Sequence, residues 1–479
     1  MCRFRNCGIG ALLNTGWPVD SYSKHSVLCS ILCIKAGIKG KNNRKSKGSE
    51  IMSINEKTEL SKGVNLHFLK TEKFKTNMIS LVLRLPLCRE TATRAALVPR
   101  VLKRGTEKYP TLADISKKAE ELYGASISAG AMKKGDNQLI VFTVQFVSDS
   151  FISGTITNEV ADLLAEFVLN PKTVDGGFDR EFVKQEKTNL KNFIDGLIND
   201  KKAYAAARCN EVMFEGDPYG ICEYGYVEDL EDIDEKNLYD FYKTMIKSSA
   251  VEVFASGSFD AGKIKTALEQ KFGAALGDRC AKSVKSGLAV REDGIEVKRV
   301  TEEMPTSQSK LVMGFNCGIE PTSREYYALM MFSCIFGGSP FSKLFNNVRE
   351  KLSLAYYVFS ALDRQKSCMK ISAGIEADKF GAAYDEIMLQ LEKMKTGDFT
   401  ENEITSAKKY LATGMGSIKD SMGATEDFYM GQILLGSNET IDSLTECLNA
   451  VSRDEIQAAA NAVQLDTVYF LKGVGSSED

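Results

Sequence analysis

The sequence predicts an α+β fold of two homologous domains, each a mainly antiparallel sheet packed by long helices. Three observations carry this. The chain has 479 residues, 43% apolar and 26% charged, an ordinary globular balance and long enough for more than one core. Short apolar runs of period two alternate with longer runs of helical spacing. The order strand, helix, hairpin, long helices, final strand also recurs, at a spacing of about 210 residues.

In the first half, GVNLHFLKTEKFKTNMISLVLRLPL (63–87) reads as two strands with a short polar connection. The stretch before it, MSINEKTELSKG from Met52, reads as polar helix or loop. TATRAALVPRVLKRG (91–105) has helical spacing, with Ala95, Leu97, Val98, Val101 and Leu102 along one side and Gly105 as the stop. Pro99, near its middle, predicts a kink or a fresh start. TLADISKKAEELYG (111–124) is a helix with a Thr cap and a terminal glycine. Residues 125–149 form a hairpin turning at Lys134–Asn137. Helices over 151–169 and 178–214, a strand over 251–259 and a helix ending near Leu276 complete a domain spanning 52–280.

Residues 281–297, AKSVKSGLAVREDGIEV, are small and polar and read as a linker. The second domain, 298–479, repeats the order: strand 310–320, helix 324–338, hairpin 355–377, helices 380–395, 400–435 and 440–463, and strand 466–473.

The opening segment stands apart. Residues 1–51 hold nine Lys/Arg against two Asp/Glu, a balance of +7. The remaining 52 basic and 62 acidic residues give −10. Four of the 12 cysteines, Cys2, Cys7, Cys29 and Cys33, also fall there. Its apolar run VLCSILCIKAGI (27–38) is interrupted by Lys35, and the basic run KGKNNRKSK (39–47) follows. The codons for Lys47–Ile51 accommodate a purine-rich ribosome-binding sequence just before Met52. Residues 1–51 are therefore expected to be a non-structural extension or a misassigned start. Net charge is −3, so neither nucleic acid nor an acidic membrane surface is indicated. No run approaches the roughly 18 apolar residues of a membrane span. The later cysteines form no C-x-x-C motif and read as buried free thiols of a cytoplasmic protein.

Two stretches carry a resemblance. RAALVPRVLKRGTEKYPTLADISKKAEELYGASISA (94–129) resembles the opening helix region of the pitrilysin/insulinase zinc peptidases, the inverzincins. Arg104-Gly105-Thr106 and Lys108-Tyr109-Pro110 match the text downstream of that family's His-x-x-Glu-His. Counting back, Ala96 stands at the first His, Pro99 at the Glu and Arg100 at the second His. Zinc binding there needs two imidazoles at i and i+4, with a carboxylate as general base. Ala96 and Pro99 offer no ligand atom, and Arg100 stays protonated. Only His25 and His67 exist in the chain, so no displaced two-His helix is possible. His67, in an alternating strand, reads as structural or surface. FDREFVKQEKTNLKNFIDGLINDKKAYA (178–205) resembles the helix bearing the family's third ligand. Glu186 matches the family's Glu that stands behind the metal ligands, and Phe193 stands at the ligand position. Phe193 is expected in the core, and Arg100 solvated or ion-paired.

FGGSPFSKLFNNVREKLSLAYYVFS (336–360) resembles the second-domain signature of the same family. The resemblance places Arg349 and Tyr356 at the family's paired positions. These reach toward a partner's metal, hydrogen-bond the substrate backbone and stabilise the tetrahedral intermediate. Alone, the residues also fit an Arg349–Glu350 pair, a strand Tyr356, and a helix stop at Gly337 and Gly338. The family gives those glycines a flexible loop near the substrate.

Within the family the chain resembles a zinc-less bacterial branch, the YfmF type, named for an association with 5-aminopentanol modification of elongation factor P. The resemblance implies a chain inactive alone, in a heterodimer with a zinc-bearing YmfH-like homologue. It would bind peptide or unfolded polypeptide, with zinc only in the partner and no cofactor of its own. The alternative is a structural or peptide-binding module of the same fold. Independent enzymatic chemistry finds no support: G-x-S-x-G and the Gly-rich phosphate loop are absent.

Overall fold

The computed structural model describes residues 54–277, 279, 284–288 and 296–475. The expected extension 1–51 and most of the expected linker lie outside the described residues. Two sheet-containing domains follow one another along the chain.

The first sheet contains β1 (Ile54–Ser61), β2 (Val64–Lys70), β3 (Thr76–Pro86), β4 (Ser126–Lys134), β5 (Asn137–Val147) and β8 (Ala250–Gly257), in the order β1-β2-β8-β3-β5-β4. A two-residue pair, β6 (Thr173–Val174) and β7 (Gly177–Phe178), stands aside from it. Only β2 and β8 run parallel. β1 corrects the expectation of polar helix or loop. It is an edge strand whose Lys57 and Glu59 face solvent while Leu60 is buried, so its polarity reflects its edge position. The helices are α1 (Ala92–Leu102), α2 (Leu112–Glu121), α3 (Thr157–Leu169), α4 (Arg180–Gly196), α5 (Lys201–Met213), α6 (Glu235–Ser248) and α7 (Ala261–Leu268).

The second sheet is ordered β11-β12-β10-β13-β9. Its strands are β9 (Lys298–Met304), β10 (Ser309–Asn316), β11 (Ala355–Asp363), β12 (Cys368–Ile375) and β13 (Gln464–Gly473). Around it lie α8 (Glu325–Ser333), α9 (Phe380–Lys395), α10 (Glu401–Ile418), α11 (Met422–Leu435), α12 (Ile441–Ala450) and α13 (Arg453–Ala462). This order reproduces β4-β5-β3-β8-β2 of the first sheet. The one parallel pair, β13 with β9, falls where β8 pairs with β2. The repeat read from element order is thus a repeat of topology, with β1 added to the first copy.

Each half has its own core, and each lends a helix to the other. α11 lays Met422, Tyr429, Met430 and Leu434 on the face of the first sheet that carries Leu69, Met78, Val82 and Phe254. Reciprocally, α5 packs Ala205 and Cys209 on Val312, Tyr469 and Leu471 of the second. Each large apolar side chain so buried contributes about 1.5–3 kcal/mol, so the halves form one packed unit. Polar contacts fix the register. Lys366, between β11 and β12, is fully buried, with Nζ 3.0 Å from Asp136 Oδ1 in the β4–β5 turn and 3.0 Å from Asp217 Oδ2. The described part of the linker is tied to the same turn: Ser286 Oγ accepts from the Asp136 amide at 2.8 Å.

Candidate functional site

α1 is almost wholly buried. Ala95, Ala96, Leu97, Val98, Pro99, Val101 and Leu102 all face the core, and Arg100 is half-buried. The helix runs through Pro99 to Leu102, so of the expected kink or fresh start the fresh start does not occur. Alongside lies α4, whose buried residues Val183, Glu186 and Leu190 keep a spacing of three and four. Phe193 is the next position on that stripe. Two contacts fix the register of the helices. The Arg100 guanidinium carbon sits 5.0 Å from the Phe193 ring centroid. Just past the C-terminal end of α1, Arg104 Nε donates to Glu186 Oε1 at 2.5 Å, and Asn189 Nδ2 donates to the same oxygen at 3.0 Å.

Two positions far apart in the chain, matched to zinc ligands by resemblance, are therefore in contact. What they bring together is a guanidinium and a phenyl ring. Phe193 is not core as expected: it is 38% exposed, because the α4 stripe reaches the rim here. Arg100, expected to be solvated or ion-paired, is half-buried and has no ion pair among the described residues; its guanidinium lies over the ring. Phe193 also meets Tyr224 edge-on, centroids 4.8 Å apart. Burial, with Glu223 and Cys222 nearby, pushes the Tyr224 phenol above its ordinary range. Tyr224 lies in the coil between α5 and α6, where no periodicity marks it.

Zinc does not fit these side chains. Ala96, Pro99 and Phe193 carry no donor atom, and the fourth position is a cation. Among the described residues no group of three or more His, Cys, Asp or Glu could hold a metal ion. His67 is buried and structural. Its Nε2 lies 2.8 Å from Glu252 Oε2, while Arg84 Nη1 donates to Glu252 Oε1 at 2.8 Å.

The second candidate site lies at the start of β11. α8 ends in a π-helical turn, Cys334–Gly338, and a second π-helical turn spans Phe345–Lys351. Gly337 and Gly338 belong to the first turn, not to an open loop. A Cβ on Gly337 would lie 2.8 Å from Leu344 Cδ1 and 2.8 Å from Ser360 Oγ, so close packing requires the glycine. Arg349 lies on the second turn, its guanidinium 4.8 Å from the Phe345 ring and its Nε 3.6 Å from Glu350 Oε1. Ser353 then takes a left-handed φ of 51°. Tyr356 follows as the extra residue of a β-bulge: Ala355 pairs with Ile375 and Tyr357 with Gly374. A bulge re-aims a side chain, and Tyr356 is 57% exposed. Its hydroxyl donates to Glu376 Oε1 at 3.1 Å, a bond that raises the phenol above its ordinary value. Arg349 and Tyr356 thus come from adjoining short segments, each bearing a backbone irregularity.

The seven cysteines among the described residues are free, and no described helix is long and apolar enough to cross a membrane.

Comparison with known proteins gives a consistent picture. The family model described as the peptidase M16 inactive domain matches residues 232–411. The chain is 32% identical to the probable inactive metalloprotease YmfF of Bacillus subtilis over 422 residues, 88% of this chain and 98% of that one. It is similar to the crystal structure of a conserved protein from Enterococcus faecalis V583, with TM-score 0.81 and 29% identity over 89% of this chain and 100% of that one. A peptidase M16 inactive domain from Pseudomonas fluorescens has the same fold, with TM-score 0.72 and 15% identity over 88% of this chain and 99% of that one. The chain belongs to the M16, insulinase-type peptidase family, as an inactive homologue.

Proposed function

We propose that this chain is the non-catalytic subunit of an insulinase-like zinc peptidase, working in the cytoplasm as a heterodimer with a zinc-bearing homologue. The two chains would close clam-shell fashion around a peptide or unfolded polypeptide. Zinc belongs to the partner alone, and neither nucleic acid nor a membrane takes part. One combination supports this reading: Arg100 and Phe193, which the resemblance matches to zinc ligands, are in contact with one another, while a bulge holds Tyr356 out to solvent a few residues after Arg349. A chain kept only for its fold has no need of the second feature. In the complex, Arg349 and Tyr356 would donate to the substrate backbone and to the oxyanion forming at the partner's metal. Removing such a donor costs about 10²–10³ in turnover.

A second reading, a structural or peptide-binding module without a part in proteolysis, is favoured by the contacts that occupy both donors, Glu350 on Arg349 and Glu376 on Tyr356. The test is Arg349→Ala and Tyr356→Phe, each mixed with the wild-type zinc-bearing homologue. The first reading requires partner-dependent turnover to fall about a hundredfold for Arg349→Ala; unchanged turnover means the second is right.

A further inference from the structure

We propose that Arg100, backed by Phe193 and Tyr224, forms a carboxylate-binding site at the degenerate metal position, taking a C-terminal carboxylate or an acidic side chain of the bound polypeptide. This rests on the peptide-binding reading and assigns a ligand class within it.

The neighbouring arginines supply the contrast. Arg104 is held by Glu186. Arg89, just before α1, pairs with Asp229 at 2.6 Å. Arg94 donates to the Glu90 carbonyl at 2.9 Å. For Arg100 the described residues provide neither a carboxylate at ion-pair distance nor a hydrogen-bond acceptor; its contact is the Phe193 face. A cation held over a ring face leaves its N–H donors unspent, and those of a guanidinium form a planar fork matched to a carboxylate. The ring contact holds the guanidinium over Phe193, and the Tyr224 ring holds Phe193 in turn. Ala96, one turn earlier, is buried and brings no competing acceptor. Glu223, the acidic neighbour of Tyr224, faces Lys133 at 3.9 Å. Where the resembling family holds a metal cation, this chain carries a fixed organic one, which can bind an anion but cannot activate water.

A simpler role exists. Arg100 lies in the last turn of α1, where a cation favours the helix dipole. Lysine would serve that role equally well; it would not reproduce the fork.

The test uses the full chain, alone and with the zinc-bearing homologue, and a short fluorescein-labelled unstructured peptide read by anisotropy. The peptide is made with a free C-terminal carboxylate, as the C-terminal amide, and as the amide with one internal Glu or Gln. Wild type should prefer a carboxylate-bearing form over its neutral counterpart by about 10- to 100-fold. Preference for the free acid over the amide would assign the chain terminus, and preference for Glu over Gln the side chain. Arg100→Gln should abolish the preference, Arg100→Lys should lose most of it with an unchanged melting temperature, and Phe193→Leu should weaken it. Equal binding of charged and neutral forms by wild type, or a preference surviving in Arg100→Gln, would overturn the site and leave peptide binding standing. Absence of binding by every form would overturn the peptide-binding reading and the site together.

Discussion

Glu426 is a carboxyl group sealed between the two halves. It sits on α11 with no exposure, accepts from Ser256 Oγ of β8, and has no partner for Oε2 among the described residues. The facing polar groups are hydroxyls, Ser256 and the Ser80–Thr143 pair. Burial pushes its pKa up to about 8 from 4.5, against the smaller opposing pull of these hydroxyls. Because the folded pKa exceeds the unfolded one, the stability linked to this group is fully present below the unfolded pKa. It is lost as pH rises through the folded pKa. Each unit between the two values costs about 1.4 kcal/mol. At pH 7 the cost is therefore about 3 kcal/mol, reaching a plateau of about 5 kcal/mol above the folded pKa. Glu426→Gln keeps the shape and the acceptor for Ser256 and removes the titration. The variant should match wild type near pH 4, exceed it by about 3 kcal/mol at pH 7, and gain no more beyond pH 8 to 9. Urea unfolding of both proteins across this range measures the gap. A pH-independent gap, or one that widens toward acid, would refute the argument.

Two further perturbations separate charge pairing from burial. At Glu252, burial pushes the carboxyl up, but the hydrogen bond and charge of His67 together with Arg84 outweigh it and hold the pKa below its ordinary value. The sign is opposite to that of Glu426: this stability is present above the unfolded carboxylate pKa and lost as pH falls through the folded one. Glu252→Gln should cost about 3 kcal/mol at neutral pH, with the gap to wild type closing in acid, as read by the same unfolding curves. Lys366→Ala leaves Asp136 and Asp217 facing one another in the seam; it should cost about 3–5 kcal/mol. A melting temperature within a degree of wild type would contradict that role.

Most of the topology was legible because apolar periodicity survives wherever an element has one buried face. The hairpin turn at Gly135–Asp136 and α9 fall where the pattern places them. The long runs 178–214, 400–435 and 440–463 are each broken in the structure. The breaks carry signals of their own: Asp200, Ser421 and Ser452 are side-chain N-caps. β1 was hidden because an edge strand needs few apolar residues. α6 has Leu238, Tyr242, Met245 and Ile246 at helical spacing, diluted by the charged residues between them. At the site, the loss of metal ligands was readable from residue chemistry alone. The Arg100–Phe193 stack was not, because it depends on the relative placement of α1 and α4. Tyr224 comes from coil, and the bulge at Tyr356 is a matter of strand register. Reciprocal helix exchange between the halves likewise involves contacts across the whole chain, beyond the reach of local pattern.

The central claim is that this chain supports a partner's metal site and has none of its own. It is tested most directly by zinc content and peptidase activity of the purified chain, alone and mixed with a zinc-bearing homologue from the same genome. The account predicts no stoichiometric zinc and no activity alone, and activity in the mixture above that of the homologue by itself. Stoichiometric zinc and full activity in the chain alone would contradict it.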